Sequence, residues 1–174
     1  MKRLVLMLAL ALTACAGNEQ VDIPIVAYAD AVRMAQAQGL ELAARADAPL
    51  VWADGEPYVG KCTGQDGERP DSIYSYASAF ELYPADAVQY IVDLHDAWVA
   101  ASWPITDFKK TREGREAQVI GTNPANQIVV RADAFETGRI LLSISTPCFE
   151  EPSGTAPFGP RYGPSKGALV PSPS

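Results

Sequence analysis

The chain is expected to fold as an α+β domain in which one or two helices cover one face of an antiparallel meander of about four strands. Three observations predict this. Residues 84–102 (PADAVQYIVDLHDAWVAAS) repeat apolar side chains at helical spacing. Four short segments follow Trp103-Pro104, and Ile128 with Val130, then Ile140 with Leu142 and Ile144, recur with the period of two of strands that bury one face. The punctuation between them is brief: Gly114, then Thr122-Asn123-Pro124, then Thr137-Gly138.

Taken in order, Asp22-Ile23-Pro24 reads as a helix start, and Ile25, Tyr28, Val32, Ala35 and Leu42 continue at helical spacing to about residue 46, with Gly39 weakening the middle. Residues 50–62 carry Trp52, Gly55, Pro57 and Gly60 and read as short extended pieces joined by turns. Residues 63–71 (TGQDGERPD) form a polar loop. Residues 73–83 (IYSYASAFELY) alternate and are rich in aromatics, which predicts a strand. Pro84 then opens the second helix, with Asp86 in its first turn and Val88, Ile91, Val92, His95, Trp98 and Val99 along one stripe. The strand segments after it span 105–112, 116–120, 127–132 and 139–146. The last 24 residues hold 6 of the 14 prolines and 4 of the 13 glycines, a composition that buries too little apolar surface to offset ordering entropy, so 151–174 is expected to be a disordered tail.

The amino terminus has a different character. Lys2 and Arg3 precede an apolar run over residues 4–14 (LVLMLALALTA), interrupted only by Thr13. Eleven residues cannot span a bilayer core that takes roughly 20 in a helix, so this is a signal-peptide core and not an anchor helix. The run ends in Leu12-Thr13-Ala14-Cys15, which closely resembles the lipobox of bacterial lipoproteins. The resemblance implies cleavage between Ala14 and Cys15, a diacylglycerol thioether on the Cys15 thiol and a further acyl chain, such as palmitate, on the new amino group. Two or more chains hold a protein stably at a membrane, whereas one does so only marginally. Residues 1–14 are thus the signal peptide, 15–23 the lipidated cysteine with its tether, and 24–150 the domain.

Of the 174 residues, 14 are basic and 21 acidic, a net charge of −7. Removing the signal peptide takes away Lys2 and Arg3 and leaves −9. Such an acidic protein is a poor partner for nucleic acid or for anionic head groups, so the membrane contact must come from the lipid. With Cys15 assigned to the anchor, Cys62 and Cys148 remain as an even pair in a compartment that permits disulfides. A redox centre would show a Cys-x-x-Cys, and a zinc site would need more Cys or His close by. A structural bridge is the expectation.

A second resemblance rests on residues 84–150. A helix leading to Trp103-Pro104, meandering strands and a last segment Ser145-Thr146-Pro147-Cys148-Phe149 are similar to small uncharacterised lipoproteins of the actinobacterial type. This implies fold and location only.

No motif for chemistry is intact: neither Gly-x-Ser-x-Gly nor His-Glu-x-x-His, neither a phosphate loop nor a calcium loop. A single histidine means that any Ser-His or Cys-His mechanism would have to use His95. Its position on the helix stripe fits a half-buried residue at the helix–sheet margin better than a general base. Asp93 and Asp96, three apart, read as a solvated helix face pointing away from His95 and not as a metal site. Among the aromatics, Tyr74 and Tyr76 share one strand face and are the pair expected to be exposed, so Tyr74, Tyr76 and His95 are the candidate ligand groove.

The sequence is therefore read as a lipid-anchored protein on the extracytoplasmic face of the cell membrane. Its domain is expected to be a non-enzymatic binding or accessory module for an envelope protein or cell-wall component, without nucleic acid, metal or cofactor beyond the lipid. A glycan hydrolase using paired carboxylates and an immunity or inhibitor protein are the competing readings.

Overall fold

A computed structural model describes residues 26–53, 58–62, 73–111, 113–150 and 168–169. In chain order these form α1 (Tyr28–Ala46), β1 (Leu50–Trp52), β2 (Tyr58–Lys61), β3 (Ile73–Leu82), α2 (Ala87–Ala100), β4 (Ile105–Lys110), β5 (Ala117–Thr122), β6 (Val129–Ala134), β7 (Ile140–Ser145), β8 (Phe149–Glu150) and β9 (Ala168–Leu169). The α+β class and its antiparallel sheet are as expected. The sheet is larger, with nine strands in the order β4-β5-β6-β7-β3-β1-β9 and with β2 and β8 also on β3. The cause is the length of β3. Ten residues offer two edges that each hold two short strands, β7 and β8 on one side and β1 and β2 on the other. Ala168–Leu169 pairs with Leu50 and Val51, so part of the stretch expected to be a tail joins the sheet. Residues 1–25, on which the expected signal peptide and Cys15 fall, and the rest of 151–174 lie outside the described residues.

Both helices pack on the same face. There, β3 turns inward Tyr74, Tyr76, Ser78, Phe80 and Leu82, β7 contributes Ile140, Leu142 and Ile144, β6 contributes Val130, Ala132 and Ala134, and β5 contributes Ala117 and Val119. Over β3 and β7 lies a helix face built from Ala31, Ala35, Gly39 and Ala43, small residues that let its backbone come close. A Cβ on Gly39 would already stand 3.0 Å from Leu50 Cδ2, so the glycine that weakens the helix on paper is where the sheet is nearest. Helix α2 covers β4, β5 and β6 with Ile91, Leu94 and Trp98. Its start is capped by the Asp86 carboxylate, which accepts from the Gln89 N–H at 2.9 Å.

Trp98 stacks on Trp103 with ring centroids 4.6 Å apart, and this pair needs the bare backbone of Gly121 beneath it, where a Cβ would meet Trp98 Cε3 at 2.8 Å. One polar contact ties the two helices to each other and a second ties α1 to the end of β5. The Tyr90 hydroxyl donates to the Leu42 carbonyl at 2.8 Å, and the Asn123 amide donates to Gln38 Oε1 at 2.9 Å. Among the described residues, no helix is long and apolar enough to cross a membrane.

Candidate functional site

Cys62 and Cys148 are joined, with Cα atoms 6.2 Å apart and a sequence separation of 86. Lys61 and Phe149, the neighbours of the two cysteines, both pair with Tyr74, so the bridge straddles the start of β3 and holds together the strands on its two sides. Close by, the Val26 N–H donates to the Glu150 carbonyl at 3.1 Å. The chain thus enters the domain at the disulfide-bearing end, while the hairpins at 111–116 and 135–139 form the opposite end.

The expected groove of Tyr74, Tyr76 and His95 is not assembled. Tyr74 and Tyr76 are 3% and 0% exposed, because their face of β3 is the one α1 covers; Tyr28 meets Tyr76 edge-on at 5.7 Å. Burial pushes the Tyr76 hydroxyl well above its ordinary pKa. His95 does sit at the helix–sheet margin, its side chain 25% exposed and its ring stacked on Phe108 at 3.9 Å. One detail differs from expectation: Asp96 does not point away but meets His95 Nδ1 at 2.9 Å, while Asp93 accepts from Gln89 at 2.7 Å. Among the described residues no group of three or more His, Cys, Asp or Glu is placed to hold a metal ion.

The functional groups that do converge lie on the other face of the sheet, which neither helix covers. One row across five strands reads Lys109, Gln118, Asp133, Leu141, Glu81, and the next reads Asp107, Ile120, Arg131, Ser143, Ala79. Arg131 grips Asp133 through Nε at 2.7 Å and Nη2 at 3.0 Å, and Gln118 donates to the same carboxylate. Lys109 pairs with Asp107 at 2.6 Å. At the hairpin end Arg139 donates to Glu81 at 2.7 Å and lies 4.7 Å over the Phe135 ring, and the Tyr83 hydroxyl donates to the other Glu81 oxygen at 2.8 Å. The Tyr83 hydrogen bond, seconded by Arg139, holds the Glu81 carboxyl below its usual range.

An open depression of about 250 Å³ adjoins this network, lined among others by Lys109, Thr111, Glu116, Gln118, Asp133 and Phe135. Two carboxylates, Glu116 and Asp133, and one aromatic, Phe135, are among its lining residues. Both oxygens of Asp133 are already engaged, Oδ2 by Arg131 Nε and Oδ1 by Arg131 Nη2 and the Gln118 amide. The face presents guanidinium groups held by carboxylates beside half-buried apolar side chains.

Sequence reasoning missed this face. Its signal was present in Arg131-Ala132-Asp133, where opposite charges two apart on a strand must share one side. Comparison with known proteins adds no relative: no family model, no curated protein and no solved structure matches this chain.

Proposed function

We propose that the protein is a lipid-anchored lipoprotein of the bacterial envelope whose domain acts as a binding or accessory module outside the cytoplasmic membrane. The observation that carries this reading is the order of features at the amino terminus: Lys2-Arg3, an apolar run too short to span, then Leu12-Thr13-Ala14-Cys15. The architecture is consistent with tethering. Cys15 precedes Val26 by eleven residues, a reach of at most about 40 Å, and Val26 joins the domain beside Glu150. A lipid on Cys15 would therefore keep the disulfide-bearing end next to the bilayer and turn the hairpins at 111–116 and 135–139 away from it. The domain serves as a recognition surface, since its best-organised polar groups are ion pairs preset on an open sheet face.

Membrane fractionation and mass analysis of the amino-terminal peptide test the anchor. The wild type should partition with membranes and begin at an acylated Cys15, and Cys15→Ala should accumulate as uncleaved or released protein. A Cys15→Ala variant that stays cleaved and membrane-bound would overturn the reading.

A further inference from the structure

We propose that the helix-free face of the sheet docks an extended, acidic segment of a partner protein, with Arg131 and Arg139 as its two anchoring cations. The inference deepens the binding-module reading and rests on it. Three ion pairs lie on this face, and in each the base stands above the acid. The exposures are 71% for Lys109 against 27% for Asp107, 51% for Arg131 against 15% for Asp133, and 36% for Arg139 against 18% for Glu81. An approaching molecule meets the cationic ends first. The chain as a whole, at a net −7, repels an acidic partner, so attraction for one has to come from these exposed cationic ends.

The arginines are also held ready. Asp133 engages Nε and Nη2 of Arg131, leaving Nη1; Glu81 engages Nη1 of Arg139 and the Phe135 ring stacks beneath it, leaving Nε and Nη2. A guanidinium already fixed by a carboxylate and a ring loses little freedom when it grips a second carboxylate. Arg131 pairs in register with Ser143, and the Phe135 N–H donates to the Arg139 carbonyl, so the two arginines lie four residues apart along the β6–β7 ladder. At about 3.3 Å per residue that is roughly 13 Å, the span from one residue to the fourth beyond it in an extended segment. Between and beside them lie half-buried Leu141 and Ile120, and Tyr83 stands 55% exposed at the hairpin end. A partner that alternates acidic and apolar side chains matches both features. A phosphate polymer would satisfy the arginines and leave the apolar floor uncovered.

The test measures anisotropy of a labelled peptide of alternating Glu and Val against detergent-solubilised full-length protein, with alternating Lys and Val as control. The acidic peptide should bind, more weakly as salt rises, and the basic peptide should not. Arg131→Gln and Arg139→Gln should each weaken binding about tenfold, and Arg33→Gln on α1 should leave it unchanged. Should loss of a cation unfold the chain, Arg131→Lys and Arg139→Lys keep the charge and should still weaken binding, because the planar fork is lost. Folded arginine variants that bind like the wild type would overturn the proposal, as would inorganic polyphosphate binding as tightly as the peptide. Peptide capture by protein that carries no lipid would leave this surface standing while the anchor fails.

Discussion

Tyr76 and Thr146 exchange two hydrogen bonds across the gap between β7 and β8. The Tyr76 N–H donates to Thr146 Oγ1 at 3.0 Å, and the Thr146 N–H donates to the Tyr76 carbonyl at 2.9 Å. A threonine hydroxyl thus stands in for a backbone carbonyl where the strand breaks, two residues before Cys148. Thr146→Val keeps the shape and leaves a buried N–H without its acceptor, which should cost about 1–3 kcal/mol. Thr146→Ser should cost under about 1 kcal/mol, since the acceptor is retained. Urea denaturation distinguishes the two, and equal losses would show that packing, not the hydrogen bond, matters at this site.

Two glycines should respond differently to the same change. Gly121→Ala places a methyl 2.8 Å from Trp98 Cε3, on a rigid ring pinned by Trp103, and should destabilise by about 1–3 kcal/mol while altering tryptophan fluorescence. Gly39→Ala meets the tip of the Leu50 side chain at 3.0 Å, and the better helix former gains up to about 1 kcal/mol, so the net effect should be near zero. A thermal melt of each variant is sufficient. A Gly121→Ala protein as stable as the wild type would contradict the packing described for α2.

The Cys62–Cys148 bridge closes a loop with a sequence separation of 86, for which the chain-entropy argument predicts about 4 kcal/mol of stabilisation. The double Cys62→Ala, Cys148→Ala variant should lose a comparable amount and should fray first around β2 and β8. Amide exchange would show this as faster exchange at Tyr74 and Phe149 than at Leu142. Uniform loss across the sheet would mean that the bridge does not act locally.

Glu81 gives a pH dependence with a defined sign. Its carboxyl is held low by Tyr83, then by Arg139, so its folded pKa lies beneath the unfolded value of about 4.3. The stabilisation is therefore present above that value and fades as pH falls through the folded pKa. Tyr83→Phe should raise the Glu81 pKa and cost up to about 1 kcal/mol near neutral pH. That difference from the wild type should shrink in acid. Carboxyl titration by NMR with denaturation at both pH values checks it, and a gap unchanged by acid would rule out the linkage.

Much of the fold was legible in the chain. The β4 to β7 meander follows from the alternation of Ile128 with Val130 and of Ile140, Leu142 and Ile144, and α2 follows from the helical spacing of Ile91 and Trp98, because these patterns are local; Val99, read on the same stripe, is exposed, and Leu94 is buried instead. The nine-stranded extent was not legible. Strands β8 and β9 have two residues each, too few for any period, and exist because the edges of β3 and β1 were free to pair. The helix-free charged face was hidden for a related reason: Arg131 and Arg139 lie on different segments and become neighbours only through the β6–β7 register.

Tyr74 and Tyr76 mark where the sequence stops and the tertiary structure takes over. From the period of two, the sequence alone determined that they share a face. Which face of a sheet is buried is not a property of one strand. It depends on where α1 lands, and the small residues Ala31, Ala35, Gly39 and Ala43 bring that helix down over the tyrosines. The hydrophobic gain there puts both rings inside and leaves Arg131, Asp133, Glu81 and Lys109 facing outward on the opposite side.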